Sequence, residues 1–129
     1  MTLAADWIRS RPEIRLCYLA TPYSRFPGGI EAAFVAACRV VADLLKSGVS
    51  AYSPIAHTHP VAMHGGIDPL DHSIWIPFDA PMMAAADCCI VAMLPSWETS
   101  YGIGVEIDAF RKAGKPVLYL DHKMMKIRE

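Results

Sequence analysis

Charge is scarce in this chain: only 19% of its 129 residues are Asp, Glu, Lys or Arg, and they balance to a net −1. The twelve basic residues are scattered and build no stripe, which argues against a nucleic-acid polymer as partner and leaves room for a nucleotide-sized ligand. Cys-x-x-Cys pairs are missing, so Cys17, Cys38, Cys88 and Cys89 do not suggest a zinc or redox motif, and buried reduced thiols are expected. No apolar run approaches the roughly 20 residues needed to cross a bilayer. The first residues, with Asp6, Arg9, Arg11 and Glu13, lack the apolar stretch of a signal peptide. No membrane partner and a cytoplasmic location are therefore expected. Repeats, linkers and low-complexity tracts are absent too, which makes residues 1–129 a single expected domain. What is abundant is apolar side chain, 53% of the residues, more than an average domain contains. A chain of this length buries about two thirds of its unfolded surface, and the apolar surplus suits a homodimer or higher homo-oligomer.

The apolar residues fall into alternating strands and helices. Ile14 to Ala20 reads as a buried first strand ended by Thr21-Pro22. A turn-rich loop with Ser24, Arg25, Pro27 and two glycines leads to a helix from about Ile30 to Ser47, closed by Gly48. Its expected buried stripe is Ile30, Phe34, Cys38, Val41 and Leu45. Val49 to Ser53 reads as a second strand, and the Pro-, His- and Gly-rich stretch up to about His72 as an irregular lid. A helix over about Ser73 to Ala86 is expected to be bent or broken near its start by Pro77 and Pro81. Cys88 to Leu94 is a continuous apolar run fit for a central parallel strand. Cys88 and Cys89, adjacent within it, should face opposite ways and not bridge each other. A further helix runs to about Ala113 and stops at Gly114, Pro116 to Leu120 is the last clear strand, and the tail beyond Asp121 carries no structural signal. The pattern predicts a small doubly wound, flavodoxin- or Rossmann-like α/β domain, with four to five parallel strands and helices on both faces.

In such sheets ligands gather at the carboxyl ends of the strands, which here selects the loops after the first strand, after Ser53 and after Leu94. The last of these carries Ser100-Tyr101-Gly102-Ile103-Gly104-Val105-Glu106, where Gly102 and Gly104 permit close backbone approach. Ile103, Glu106, Ile107 and Phe110 share one helical face, so an acid is expected on a buried side. The helix dipole would favour its charged form and the apolar neighbours would oppose it. Ser24, Arg25, Gly28 and Gly29 supply a hydroxyl, a cation and free amides ahead of a helix N-terminus, a plausible anion cradle.

Taken in order, several segments resemble the nucleoside 2-deoxyribosyltransferase superfamily, nearer its branch of 2′-deoxynucleoside 5′-monophosphate N-glycosidases. They are Tyr18-Leu19-Ala20-Thr21-Pro22-Tyr23, Asp79 eight residues before Asp87, the apolar strand, Gly102-Ile103-Gly104-Val105-Glu106, and Gly114-Lys115-Pro116-Val117. The resemblance implies that Glu106 is a nucleophile toward the anomeric carbon, Asp79 the acid that serves the departing base, and Tyr18 the group that holds the nucleophile. Substrate contacts are expected from Thr21, Ser100, Gly102 and Gly104, and from Ser24 and Arg25 of the anion cradle. The substrate would be a small nucleoside or nucleotide, and no cofactor or metal is called for. Where family transferases acting on free nucleosides often carry an acid six positions before the nucleophile, this chain has Ser100, as the monophosphate hydrolases do. That difference favours a phosphorylated substrate.

The same residues admit blander readings. Glu106 and Asp79 can be helix-terminal acids, and Tyr18 a core residue. A non-catalytic nucleotide sensor would use the same crevice. His57, His59, His64 and His72 raise a metal-dependent hydrolase, although their spacing matches no familiar zinc site.

Overall fold

Strands form in this chain where short apolar runs meet turn residues, and helices where capping residues precede amphipathic stretches. The computed structural model describes residues 1–129. In chain order the elements are β1 (Thr2–Leu3), α1 (Ala4–Arg9), β2 (Cys17–Ala20), α2 (Ile30–Lys46), β3 (Ala51–Tyr52), α3 (Pro54–Gly65), α4 (His72–Ala85), β4 (Cys88–Ala92), a 3-10 turn (Trp97–Thr99), α5 (Tyr101–Lys112), β5 (Val117–Asp121) and β6 (Lys126–Arg128). The sheet order is β1-β6-β5-β4-β2-β3. The pairs β3–β2, β2–β4 and β4–β5 are parallel, whereas β5–β6 and β6–β1 are antiparallel.

The fold is the expected mixed α/β sheet wrapped by helices, and the two-residue period of its strands divides the core. Cys17, Leu19, Cys88, Ile90, Leu118 and Leu120 pack with Trp7 of α1 and with Val40 and Leu44 of α2. Their neighbours Tyr18, Ala20, Cys89 and Val91 turn the other way, onto Met83 of α4 and Ile103 and Phe110 of α5. Cys88 and Cys89 thus face opposite sides, and Cys88 instead meets Cys17 across the strand pair, sulfur to sulfur at 3.3 Å.

Several expectations are corrected. The sheet has six strands because the charged tail folds back as β6, and residues 2–3 then pair with it. The proposed lid is helix α3: Ser53 caps it by accepting from the Ala56 amide, Pro54 occupies its first turn, and Gly66 ends it at φ 70°. Helix α4 runs unbroken through Pro77 and Pro81, which lie four apart on the exposed side of the helix. On α2 the buried stripe is Ala33, Ala37, Val40 and Leu44, whereas Leu45 is 53% exposed. Small residues let this helix lie close to the sheet, and Phe34 turns away to stack on His59 of α3.

Two long-range contacts fix the elements at the amino ends of the parallel strands, opposite the ligand side of the sheet. Asp87 accepts from the Arg15 and Leu16 amides at 2.8 and 2.9 Å, which ties the lead-in of β2 to that of β4 and holds its carboxyl below the usual range. Lys115 donates to the carbonyls of Met83, Ala84 and Ala86 at 3.2, 2.8 and 2.7 Å, closing the C-terminal end of α4.

Candidate active site

The chain leaves β2 toward β3 on one side and returns to β4 on the other, so a crevice opens beyond the carboxyl ends of β2 and β4. A cleft of about 790 Å³, its open mouth included, occupies that place. Thr21, Tyr23 and Ser24 line it from the loop after β2, and Pro54, Ile55 and Thr58 from the start of α3. Trp75, Ile76, Asp79 and Met83 come from α4, and Ser100, Tyr101, Gly102, Val105 and Glu106 from α5 and its lead-in.

Glu106 is the sixth residue of α5, past the first turn where the helix dipole is felt, and burial decides its state. It is 9% exposed, beside Ile103 and Phe110 on the face that meets the sheet. Its carboxyl is raised from 4.5 to about 8, chiefly by loss of water, with the Tyr18 hydroxyl acting to lower it and the charge of Asp79 to raise it. Asp79 lies in the middle of α4, while the cap of that helix is Asp71. Burial raises Asp79 to about 6. Two carboxyls with raised proton affinity thus share one cleft, and the pair holds a single proton between pH about 6 and about 8, on Glu106.

Several polar atoms at or near this pair lack partners. Tyr18 Oη, Tyr52 Oη, Thr21 Oγ1 and Asp79 Oδ1 are all buried without a hydrogen bond. Tyr18 and Tyr52 pack against each other with ring centroids 6.0 Å apart, and Phe110 backs Tyr18 at 5.5 Å. Burial, then the nearby charges of Glu106 and Asp79, push the Tyr18 phenol well above its usual range, so it stays a hydroxyl. It faces Glu106 closely enough to favour that carboxylate, although the contact does not meet full hydrogen-bond geometry. Each buried orphan group costs about 1–3 kcal/mol, and those of Thr21 and Asp79 belong to the cleft lining, where a polar ligand would satisfy them.

Ser100 reaches the cleft and caps α5 by accepting from the Ile103 amide at 3.3 Å. The first-turn amides of Tyr101 and Gly102 have no carbonyl within the helix to meet. Thr21, Ser24, Ser100 and Gly102 therefore come together with Asp79 and Glu106, and Tyr18 stands directly behind them. Arg25 and Gly104 lie outside the lining and are exposed, and Gly28 and Gly29, at φ 92° and 95°, border a separate shallow hollow with Glu31 and Arg39 or sit beside it. No Lys or Arg lines the cleft.

Sequence reasoning missed a second polar chain. Tyr23 Oη lies 2.6 Å from His59 Nδ1, and His59 Nε2 lies 2.7 Å from Glu31 Oε2. His59 lies 36 residues from Tyr23 and 28 from Glu31, and no spacing in the sequence joins it to them. The other histidines go elsewhere: His57 stacks on Phe78 and His72 packs on Tyr101. No three His, Cys, Asp or Glu side chains converge in metal-binding fashion.

Residues 15–122 match the model of a family described as a domain of unknown function, DUF1937. The chain belongs to that family. The matched span runs from the lead-in of β2 to the end of β5, so this DUF1937 domain contains the whole cleft and leaves out β1, α1 and β6. No curated protein matches the chain. No helix of this DUF1937 member is long and apolar enough to cross a membrane.

Proposed function

We propose that the protein cleaves or transfers the N-glycosidic bond of a nucleoside or nucleoside 5′-monophosphate, deoxyribose sugars included, through a covalent glycosyl–Glu106 intermediate. The observation that carries this reading is the pairing of buried Glu106 with half-buried Asp79 in one cleft at the switch point of the sheet, beside the partnerless hydroxyl of Thr21. The resemblance to the deoxyribosyltransferase superfamily assigns the same two carboxyls, and it supplies the reaction.

Glycosyl transfer of this kind needs one carboxylate as nucleophile and one proton for the leaving group, and a pair that holds one proton meets both needs. The proton on Glu106 passes to Asp79, which leaves Glu106 as the anion with the Tyr18 hydroxyl donating to it. A Glu106 oxygen then bonds to the anomeric carbon as the carbon–nitrogen bond breaks. The bond's electron pair stays on the base nitrogen, and Asp79 protonates the base. Water or an acceptor base gives a proton to Asp79 as it attacks the same carbon, the carbon–Glu106 oxygen bond breaks, and Glu106 leaves as the carboxylate. Thr21, Ser24, Ser100 and the amides of Tyr101 and Gly102 provide the polar contacts that position the sugar. The reading carries with it a cytoplasmic location and assembly into a homodimer or larger homo-oligomer.

A non-catalytic nucleotide sensor is the second reading, favoured by one observation: a Glu106 that keeps its proton at neutral pH can donate a hydrogen bond to a ligand with no bond broken. Incubation with a panel of nucleosides, deoxynucleosides and their 5′-monophosphates, with and without a free acceptor base, separates the two. Base release seen by chromatography, lost in Glu106→Gln and indifferent to chelator, supports the enzyme. Saturable binding without release of any base supports the sensor.

A further inference from the structure

The Tyr23–His59–Glu31 chain reaches the cleft only through Tyr23, since neither His59 nor Glu31 lines it. His59 is 3% exposed, clamped between the Phe34 ring at 4.6 Å and the edge of Tyr23 at 5.7 Å, so its orientation has little freedom. Glu31, at the opening of α2, is a carboxylate and can only accept, which obliges His59 to carry a proton on Nε2. In the neutral ring, Nδ1 is then a bare lone pair, and the Tyr23 hydroxyl must donate to it. Burial and the Glu31 charge raise the Tyr23 phenol to about 12, so this proton is present across the physiological range.

We propose that Glu31 and His59 fix Tyr23 as a hydrogen-bond acceptor toward the cleft, and that Tyr23 thereby selects a substrate with a free hydroxyl or amino donor over one that presents a phosphate there. Its own proton is committed to His59, so its oxygen offers lone pairs alone. A sugar hydroxyl complements those lone pairs. A phosphate oxygen meets them as acceptor against acceptor, in a cleft lined by two carboxyls and no Lys or Arg. The substrate half of this inference rests on the nucleoside reading above and narrows it from nucleotide to nucleoside; the polarity of Tyr23 does not depend on it.

Two arms test the proposal on the full-length protein. In the first, long-range ¹⁵N–¹H correlation spectra of ¹⁵N-histidine-labelled protein at pH 7 report the His59 ring, assigned through His59→Gln. The neutral tautomer protonated on Nε2, with an Nδ1 signal that moves in Tyr23→Phe, is expected; an imidazolium, or a tautomer protonated on Nδ1, overturns the proposal because Tyr23 would then be the acceptor from His59. In the second, calorimetry compares 2′-deoxynucleosides with their 5′-monophosphates. Tighter nucleoside binding, weakened about fivefold in Tyr23→Phe with a smaller effect on the monophosphate, is expected for one lost neutral hydrogen bond. Tighter monophosphate binding, or equal losses for both, overturns the selectivity. If neither class binds, the nucleoside reading and its selectivity fall together, while the first arm still decides the polarity of Tyr23.

Discussion

Replacing Glu106 with Gln should stabilise the protein, and the gain should depend on pH. The Glu106 carboxyl is raised from 4.5 to about 8, chiefly by burial. At 1.36 kcal/mol per pH unit that shift corresponds to about 5 kcal/mol against the charged form. The folded state therefore binds more protons than the unfolded chain between pH 4.5 and about 8, and this residue's contribution to stability falls as pH rises across that window. Below pH 4.5 the acid is neutral in both states and the penalty is absent; above about 8 it is fully present. Gln keeps the shape without the charge. Because the cleft admits water, about 5 kcal/mol is a ceiling, and a gain of at least about 1 kcal/mol at pH 8.5 is expected, about 4 °C in Tm for a chain of this size. Thermal unfolding followed by circular dichroism at pH 4 and pH 8.5 checks it. An equal change in Tm at both pH values, or a loss at pH 8.5, would refute the claim that Glu106 is held against its charge.

Asp79→Asn removes the neighbouring charge that raises Glu106, so the Glu106 carboxyl should titrate lower than in the wild type yet stay above 4.5, because burial is the larger cause; ¹³C-carboxyl NMR reads this directly. Turnover should be greatest between pH about 6 and about 8, falling on the acid side as Asp79 takes a second proton and on the alkaline side as the last proton leaves; a flat profile of kcat against pH would contradict the shared proton. Lys115→Met strips three carbonyls at the end of α4 of their donor, and about 2 kcal/mol of stability should be lost in urea unfolding, with the chemistry of the pair unaltered.

Glu106 was legible in the sequence because helical spacing puts it among Ile103 and Phe110, an uncommon place for an acid, and because the end of an apolar strand locates the crevice; Asp79 was reached only through the family resemblance. The expected help from the helix dipole does not reach Glu106: α5 begins at Tyr101, which carries Glu106 beyond the first turn and leaves burial as the chief cause of its raised proton affinity. Helix α3 hid behind Pro, His and Gly, residues that usually mark loops, although Ser53 followed by Pro54 is a start signal in its own right. The two strands at the ends of the chain, β1 and β6, are too short and polar to show a pattern and exist through pairing with each other and with β5. The Tyr23–His59–Glu31 chain was invisible for a different reason. It joins a loop and two helices whose closeness is decided by packing on the sheet, and Phe34, read as core, is what stacks on His59.

The central claim is that Glu106 bonds to the sugar, and acid-quenched mass spectrometry after rapid mixing with a deoxynucleoside or its monophosphate tests it most directly. The account predicts a transient mass increase equal to the sugar unit, mapped to the peptide containing Glu106 and absent in Glu106→Gln. Base release without an adduct at Glu106, undiminished in Glu106→Gln, would contradict it.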